Sequence, residues 1–438
     1  MSGSSSGSGG GSYGRGAAIL SVGIGVTGLV TYAFFSLASH TLSEEAYGGI
    51  TLLWSAVFIV VSVLYRPVEQ LLSRTIADRD ARGQEGSSHL RVAATIQLAL
   101  GALFAVVALA LRGPIQDDLF GGSETLYWVL IVAVLAYAAS YFARGFLAGH
   151  HRFGLYGGLV LAESLSRVLF PLAVAVGVAE GQSVVAIGIV AAPFFSLAVV
   201  PLAITRQLRE DPPEADAEQD ALEKDQAGAE FTLAHGSGFA AAVLLIMLAE
   251  QTFLNAGPLI VKATEGGAEG AALAGFVFNV LLIARAPLQL FQAVQTSILP
   301  HLTRLTAQGE DDPFRRSVNA TLIATAGFAA LVALTMLVAG PFLMDLLFGG
   351  KADYGRGGLV IVSVGMGLYL AAATLNQAAL ARGAVRQAAG CWVSAATLFV
   401  IFLVIPGWED RVLQVEIGFV GAALLLSGLL YLLYRRRD

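Results

Sequence analysis

Glu163 and Arg167 stand four residues apart inside an apolar run, so a helix there carries both on one face, with the acid N-terminal to the base. Such a pair either neutralises itself as a structural element or lines a cavity and opens when an ion or a substrate anion competes. The sequence leaves both readings open. Arg285 sits in another apolar run with no opposite charge within helical reach, and Pro287 follows closely. Proline removes a backbone hydrogen bond and kinks a helix, leaving polar groups that a wet cavity tolerates better than lipid. A guanidinium at that place stays charged and can hold a phosphate through two parallel hydrogen bonds. Gln289, Gln292 and Gln295 recur at every third residue, and Asn279 lies ten residues before Gln289 on what would be the same wet face. A stripe facing a cavity is the expected reading, with an interhelical hydrogen-bonding seam the alternative.

Glu250, Gln251 and Asn255 make a further polar cluster within one apolar run. A desolvated glutamate carries a proton readily, whereas a neighbouring arginine holds it ionised, and Arg285 is one candidate partner. Arg66, Glu69 and Arg144 lie near the ends of their runs. There they serve as interfacial anchors or as a vestibule for an anionic lipid headgroup. A charge at bilayer depth costs at least about 2.5–3.5 kcal/mol, so function is sought among these few residues. The expected substrate contacts are Arg285, Arg167, Gln289, Gln292, Asn279, Arg66 and Arg144; the expected ion-coupling residues are Glu163, Glu250 and Asn255.

The elements that must position them are long apolar helices. The chain is 56% hydrophobic and only 13% charged, too apolar for a soluble core. About twelve spans are expected, at 17–39, 49–71, 93–111, 126–146, 159–178 and 184–205, then 237–261, 271–299, 321–347, 358–381, 388–405 and 415–434. They must be helical, because lipid offers no partner for a free backbone N–H or C=O, and a β-barrel would show short alternating segments. The first run is too long for a signal-peptide core and lacks a convincing small-residue cleavage site.

The two halves resemble each other. Gly113-Pro114-Ile115-Gln116-Asp117-Asp118-Leu119-Phe120-Gly121-Gly122 returns as Gly340-Pro341-Phe342-Leu343-Met344-Asp345-Leu346-Leu347-Phe348-Gly349-Gly350, with one residue inserted. A second echo pairs Leu147-Ala148-Gly149 and Arg152 with Leu380-Ala381, Gly383 and Arg386. A duplicated apolar chain suggests a transporter whose halves move around a central site. The expected fold is thus an all-α integral membrane protein, with two pseudo-symmetric six-helix lobes around a central cavity. Its parts are a disordered Ser/Gly-rich tail (1–16), a first lobe (17–205), an acidic cytoplasmic linker (206–236), a second lobe (237–434) and a basic tail (435–438).

Cations set the expected orientation, since Lys and Arg in short loops stay on the cytoplasmic side. With both termini inside, 19 of the 26 basic residues fall in inner segments, and only Arg112, Lys262, Lys351, Arg356 and Arg411 fall outside. The net charge of −6 owes much to nine acids between Glu210 and Glu230, in a stretch too polar to pack. A single cysteine, Cys391, excludes an internal disulfide and a cysteine-rich metal site, and the adjacent His150 and His151 point in different directions. No metal, no cofactor and no nucleic-acid partner is expected. No GxxxxGK[ST] loop occurs, so an ATP motor is absent from this chain. The short outer loops leave no place for an enzyme's acceptor-binding domain.

Leu42-Ser43-Glu44-Glu45-Ala46-Tyr47-Gly48, the stretch 144–157, and Pro300 with Leu302 and Arg304 resemble the polysaccharide-biosynthesis flippases. These belong to the multidrug/oligosaccharidyl-lipid/polysaccharide exporter superfamily. The resemblance implies a non-enzymatic flippase in the cytoplasmic membrane. It would carry polyprenyl-pyrophosphate-linked oligosaccharides from the inner to the outer leaflet by alternating access, in contact with membrane lipid. With no ATP motor, its energy would come from an ion gradient (H+ or Na+), the membrane potential or the substrate's own gradient. A monomer is expected, since one chain's twelve helices suffice to enclose a cavity. Two relatives in the same superfamily are alternatives. A lipid II flippase usually has fourteen spans and cations in its first helix, and a drug or cation antiporter commonly has an acid there. The run 17–39 carries neither, although Glu250 resembles the second-lobe glutamate of one antiporter branch.

Overall fold

A computed structural model describes residues 9–81, 88–210, 233–283, 285, 302, 311–349 and 354–436. The fold is all-α, and no strand occurs among the described residues. The helices are α1 (Gly9–Thr41), α2 (Glu44–Leu64), α3 (Arg66–Ala81), α4 (Ser88–Ala110), α5 (Glu124–Gly149), α6 (Phe153–Ala175) and α7 (Gln182–Glu210). After them come α8 (Leu233–Glu265), α9 (Gly267–Ile283), α10 (Asp311–Phe348), α11 (Arg356–Ala381), α12 (Val385–Val404) and α13 (Arg411–Arg435). A six-residue π-helical turn, Pro114–Leu119, joins α4 to α5.

Each of the twelve expected spans falls on a helix, although the eighth is described only through Ile283 and at Arg285. Nine candidate spans among the described residues are long and apolar enough to cross a membrane, and α7 and α9 contribute shorter apolar stretches. Two boundaries differ from expectation. Helix α1 begins at Gly9, inside the stretch expected to be a disordered tail. The second span breaks at Tyr65, and α3 starts with Arg66-Pro67. Proline fits the first turn of a helix, whose N–H groups have no partner. Arg66 therefore opens a helix of its own.

The helix starts explain why the chain turns where it does. Ser43, Ser123 and Asp410 each accept a hydrogen bond from the backbone N–H three residues on, at 3.3, 3.3 and 2.9 Å, capping α2, α5 and α13. Glu44, Glu45 and Glu124 add negative charge to first turns. Contacts between these turns gather them on one face, called here the acidic end. Gln182 donates to the Ala46 carbonyl (2.7 Å), and Arg411 pairs with Glu265 (2.6 Å). The opposite, basic end brings Arg66, Glu69, Arg144 and Tyr156 together, and stacks Arg382 on Phe314 and Tyr434.

The echo at the basic end is shifted from the one the sequence suggests. Helix α5 ends with Arg152 N–H bonded to the Leu147 carbonyl (2.8 Å), and α11 ends with Ala384 N–H bonded to the Ala379 carbonyl (2.8 Å). In these matching turns the left-handed residues are His151 (φ 57°) and Gly383 (φ 70°). Gly383 thus corresponds to His151, two residues beyond Gly149.

Packing sorts the helices into two bundles. Among α1–α7, α1 lies on α6, α6 on α7, and α5 against α2, α3 and α7; among α8–α13, α11 lies between α10 and α13, and α12 between α8 and α13. The third span of each half, α4 and α10, is largely exposed, with Leu98, Val106, Ile323 and Val338 pointing outward. The bundles meet through α2 on α8, α1 on α10, and the π turn on α8.

Candidate functional site

The polar groups of the first bundle form a stripe on α5. Tyr137, Ser140, Tyr141 and Arg144 recur at i, i+3, i+4 and i+7, one helix face, and all four make polar contacts or ring contacts with neighbouring helices. Opposite them on α6, Glu163 is 2% exposed. Its carboxylate accepts hydrogen bonds from Ser140 and from the Arg144 guanidinium, with which it forms an ion pair, and from Ser196 of α7 at 3.1 Å. Burying a carboxylate requires this many donors.

Arg167 does not pair with Glu163, contrary to the reading of the two as an i, i+4 ion pair. It donates to the Tyr137 hydroxyl (2.8 Å) and lies over the rings of Trp54 (4.8 Å) and Phe58 (5.7 Å). The carboxylate is already filled by donors from α5 and α7, and the aromatic faces attract the cation left over. Arg144 itself lies over the Tyr141 ring at 4.6 Å, and its Nε is buried without a partner.

Towards the basic end, Tyr156 donates to Glu69 (2.9 Å), and the charges of Arg144 and Arg66 act on that carboxylate. Glu69's backbone lies against Gly145, where a methyl group would approach its carbonyl oxygen to 2.8 Å. That close approach of α3 to α5 brings Arg66, Glu69, Arg144 and Glu163 into one connected network. The network reaches the second bundle, because the charge of Glu250 on α8 acts on Arg66 and on Tyr369 of α11. The charge of Glu250 is felt by Arg66 and is not among those acting on Arg285.

Arg285 has a different environment. It donates to the Leu254 carbonyl and to Asn255 Oδ1 (3.1 Å), and lies over the Phe278 ring at 5.0 Å. Asn255 is oriented in turn by donating to Gln251 Oε1 (3.0 Å). All these partners are neutral, and the guanidinium's Nε is buried without one. Close by, Tyr32 of α1 donates to the Leu282 carbonyl across the two bundles, and Phe35 packs on Phe278 with ring centroids 4.6 Å apart.

Asn279 lies elsewhere, at the acidic end. It accepts from the Tyr47 hydroxyl of α2 and donates to the Tyr354 hydroxyl (3.1 Å). These residues line a cavity of about 250 Å³ with Glu44, Glu269, Phe276 and Phe348. Gln289 and Gln292 lie outside the described residues. Among the described residues no cluster of three His, Cys, Asp or Glu side chains could hold a metal ion.

Sequence reasoning missed Ser140, Ser196, Tyr137, Tyr156 and Tyr369, because only charges and amides were sought inside the spans. The spacing of the α5 stripe was the available signal.

No protein-family model matches the chain, and no curated protein matches it. Solved structures do. A multidrug resistance MATE family transporter of the MOP superfamily, in an inward-facing conformation, is 16% identical with a TM-score of 0.69, covering 96% of this chain and 98% of its own. The fold is that of the MATE transporters. A Vibrio cholerae MATE transporter, VcmN, gives 16% identity and a TM-score of 0.65 over 97% and 98% of the two chains. An outward-facing MOP-superfamily MATE transporter gives 18% identity and 0.60 over 96% and 95%. The coverage extends this fold over nearly the whole chain, which is therefore a multi-pass membrane protein whose structural neighbours are transporters.

Proposed function

We propose that this chain is an alternating-access transporter that moves a polyprenyl-pyrophosphate-linked oligosaccharide from the inner to the outer leaflet of the cytoplasmic membrane, for cell-surface polysaccharide synthesis. The observation that carries the reading is Arg285. A half-buried guanidinium held by a carbonyl, an amide oxygen and an aromatic face is a positive charge without a described counter-anion. That site favours an anionic headgroup and repels a cationic drug. Helix α1, where the antiporters commonly hold an acid, contains none.

The basic end is read as cytoplasmic, with both termini inside, because short loops retain their cations there. On that reading the present state is closed outward. The contacts Tyr32–Leu282, Tyr47–Asn279 and Phe35–Phe278 seal the bundles toward the acidic side. A sugar-pyrophosphate headgroup would enter from the basic end past Arg66 and Arg144 and reach Arg285, with Arg167 and the amides as further contacts. Its prenyl tail would stay in lipid. Alternation would then expose the same charges outward, coupled to H+ or Na+ through Glu163 or Glu250. One chain suffices, so the working unit is a monomer.

A second reading, cation or drug antiport, draws on Glu250, a half-buried carboxylate on α8 whose charge acts on Tyr369. The test is the lipid pool of a strain lacking the gene, analysed by mass spectrometry. The glycan reading expects a complete lipid-linked unit to accumulate and surface polymer to vanish. Complementation with Arg285→Ala, at normal expression, is expected to leave both defects. Export retained in that variant removes Arg285 from the site. An unchanged pool with raised sensitivity to cationic compounds supports antiport and makes Glu250 the residue to test.

A further inference from the structure

The duplicated Gly-Pro…Leu-Phe segment lies outside the charged network around Glu163, and it recurs where the halves touch. In the first half it forms the π turn, which packs on α8, the first helix of the second half. In the second half it forms the end of α10, which packs on α1, the first helix of the first half. There a side chain at Gly349 would meet the His40 ring at 3.2 Å. The contacts are reciprocal: each half lays its copy on the first helix of the other.

Both copies are built alike for this task. Phe120 and Phe348 are 6% and 3% exposed, although Asp118 and Leu346 beside them are exposed. Each phenylalanine is followed by glycine in the left-handed region, Gly121 (φ 60°) and Gly349 (φ 83°), which lets the chain reverse at once after the ring is buried. The copies follow α4 and end α10, the two largely exposed helices. Between the two contacts lie the Tyr47–Asn279 bond and the close approach of Gly48 to Ala271, where a methyl group would overlap the Ala271 carbonyl.

We propose that the two copies are reciprocal latches that hold the acidic end shut, and that this end opens only when both release. The inference rests on alternating access, not on which substrate is carried. Because each latch spans both halves, an opening that separates the halves along the whole acidic end loads both contacts together. Loosening either must therefore raise the open population read at the other.

Pulsed electron spin resonance tests this in lipid vesicles without any substrate. In a Cys391→Ser background, one spin-label pair occupies Asp118 and Thr264, and a second, in a separate sample, occupies Glu45 and Asp345; all four positions are exposed. Gly48→Ala wedges the seam without touching either latch and defines the open distances, expected to be longer by more than about 5 Å, one helical turn. Phe348→Ala is then expected to raise the open population at the Asp118/Thr264 pair, and Phe120→Ala at the Glu45/Asp345 pair. Each change should be about fivefold or more, the lower range of a coupling between sites. Where an alanine variant does not fold, leucine replaces it. The proposal is overturned if Gly48→Ala lengthens one pair and not the other, or if weakening one latch leaves the opposite pair at its wild-type distribution.

Discussion

Replacing Glu163 by leucine should destabilise the first bundle substantially, and replacing Arg144 along with it should restore most of the loss. The carboxylate is 2% exposed and accepts from three donors, while the Arg144 side chain is 12% exposed. Glu163→Leu leaves a largely buried guanidinium without its anion, which costs about 3–5 kcal/mol for a fully buried pair. Arg144 keeps a narrow route to water, so the lower figure of about 3 kcal/mol applies to it. Ser140 loses its acceptor as well, adding about 1 kcal/mol, whereas Ser196 keeps its bond to the Pro193 carbonyl at 2.9 Å. The single variant should therefore lose about 4 kcal/mol, or roughly 8 °C in Tm at about 2 °C per kcal/mol for a large domain. Glu163→Gln, which still accepts hydrogen bonds, should lose about half as much. In the double variant Arg144→Leu/Glu163→Leu no charge is stranded, so its cost should fall well below the sum of the singles, by about 2–3 kcal/mol. Reversible unfolding in detergent across the four proteins measures the cycle. Strict additivity, or a Glu163→Leu protein as stable as the parent, would refute the inference that this ion pair is closed and dry.

Gly358 faces the Glu416 carboxylate so closely that an added methyl group would overlap it. Gly358→Ala should cost about 1–3 kcal/mol from overpacking, and shortening the neighbour in Gly358→Ala/Glu416→Ala should recover most of it, as thermal unfolding will report. Tyr354, between α10 and α11, has its phenol pushed up to about 12 by burial and, less strongly, by the charges of Asp345 and Glu44, against a lowering by the Asn279 hydrogen bond. A raised acid binds its proton more tightly when folded. Its stabilisation is complete below the ordinary value near 10 and is lost as pH rises through 12. Denaturation between pH 9 and 12 should show a loss that Tyr354→Phe abolishes; equal slopes in the two proteins would rule it out.

The spans were legible in the sequence because a membrane helix is specified by local composition, and the duplication showed that the chain has two halves. The charged residues worth attention were legible for the same reason. Their partners were not. Glu163 and Arg167 obey the i, i+4 rule, yet the carboxylate was taken by donors on α5 and α7 and the guanidinium by aromatic rings, since tertiary neighbours outbid a pairing worth a few tenths of a kcal/mol. The charge of Glu250 likewise acts on Arg66, more than 180 positions away in the chain. Asn279 reads as part of a polar stripe with the glutamines, but α9 carries it to the acidic end, where it bonds two tyrosines. The break at Tyr65 was visible as Arg66-Pro67 and was overridden by the continuity of apolar residues on either side.

The helix starts have a kinetic consequence. At the acidic end α2, α5 and α13 begin under serine or aspartate caps, with glutamates in the first turns of α2 and α5, which cancels the partial positive charge of those termini. At the basic end α6 and α12 begin at Arg152 and Ala384 with no side-chain cap, so about half a unit of positive charge remains at each. Helix α11, uncapped at Gly355, leaves the same charge at the acidic end, while the starts of α6 and α12 add to the charge of Arg66, Arg144 and Arg382 at the basic end. Low-dielectric walls focus such a field, and an anion on that side is drawn inward before it touches any residue. Capture of an anion from the basic side should accordingly be fast and should slow as salt is raised.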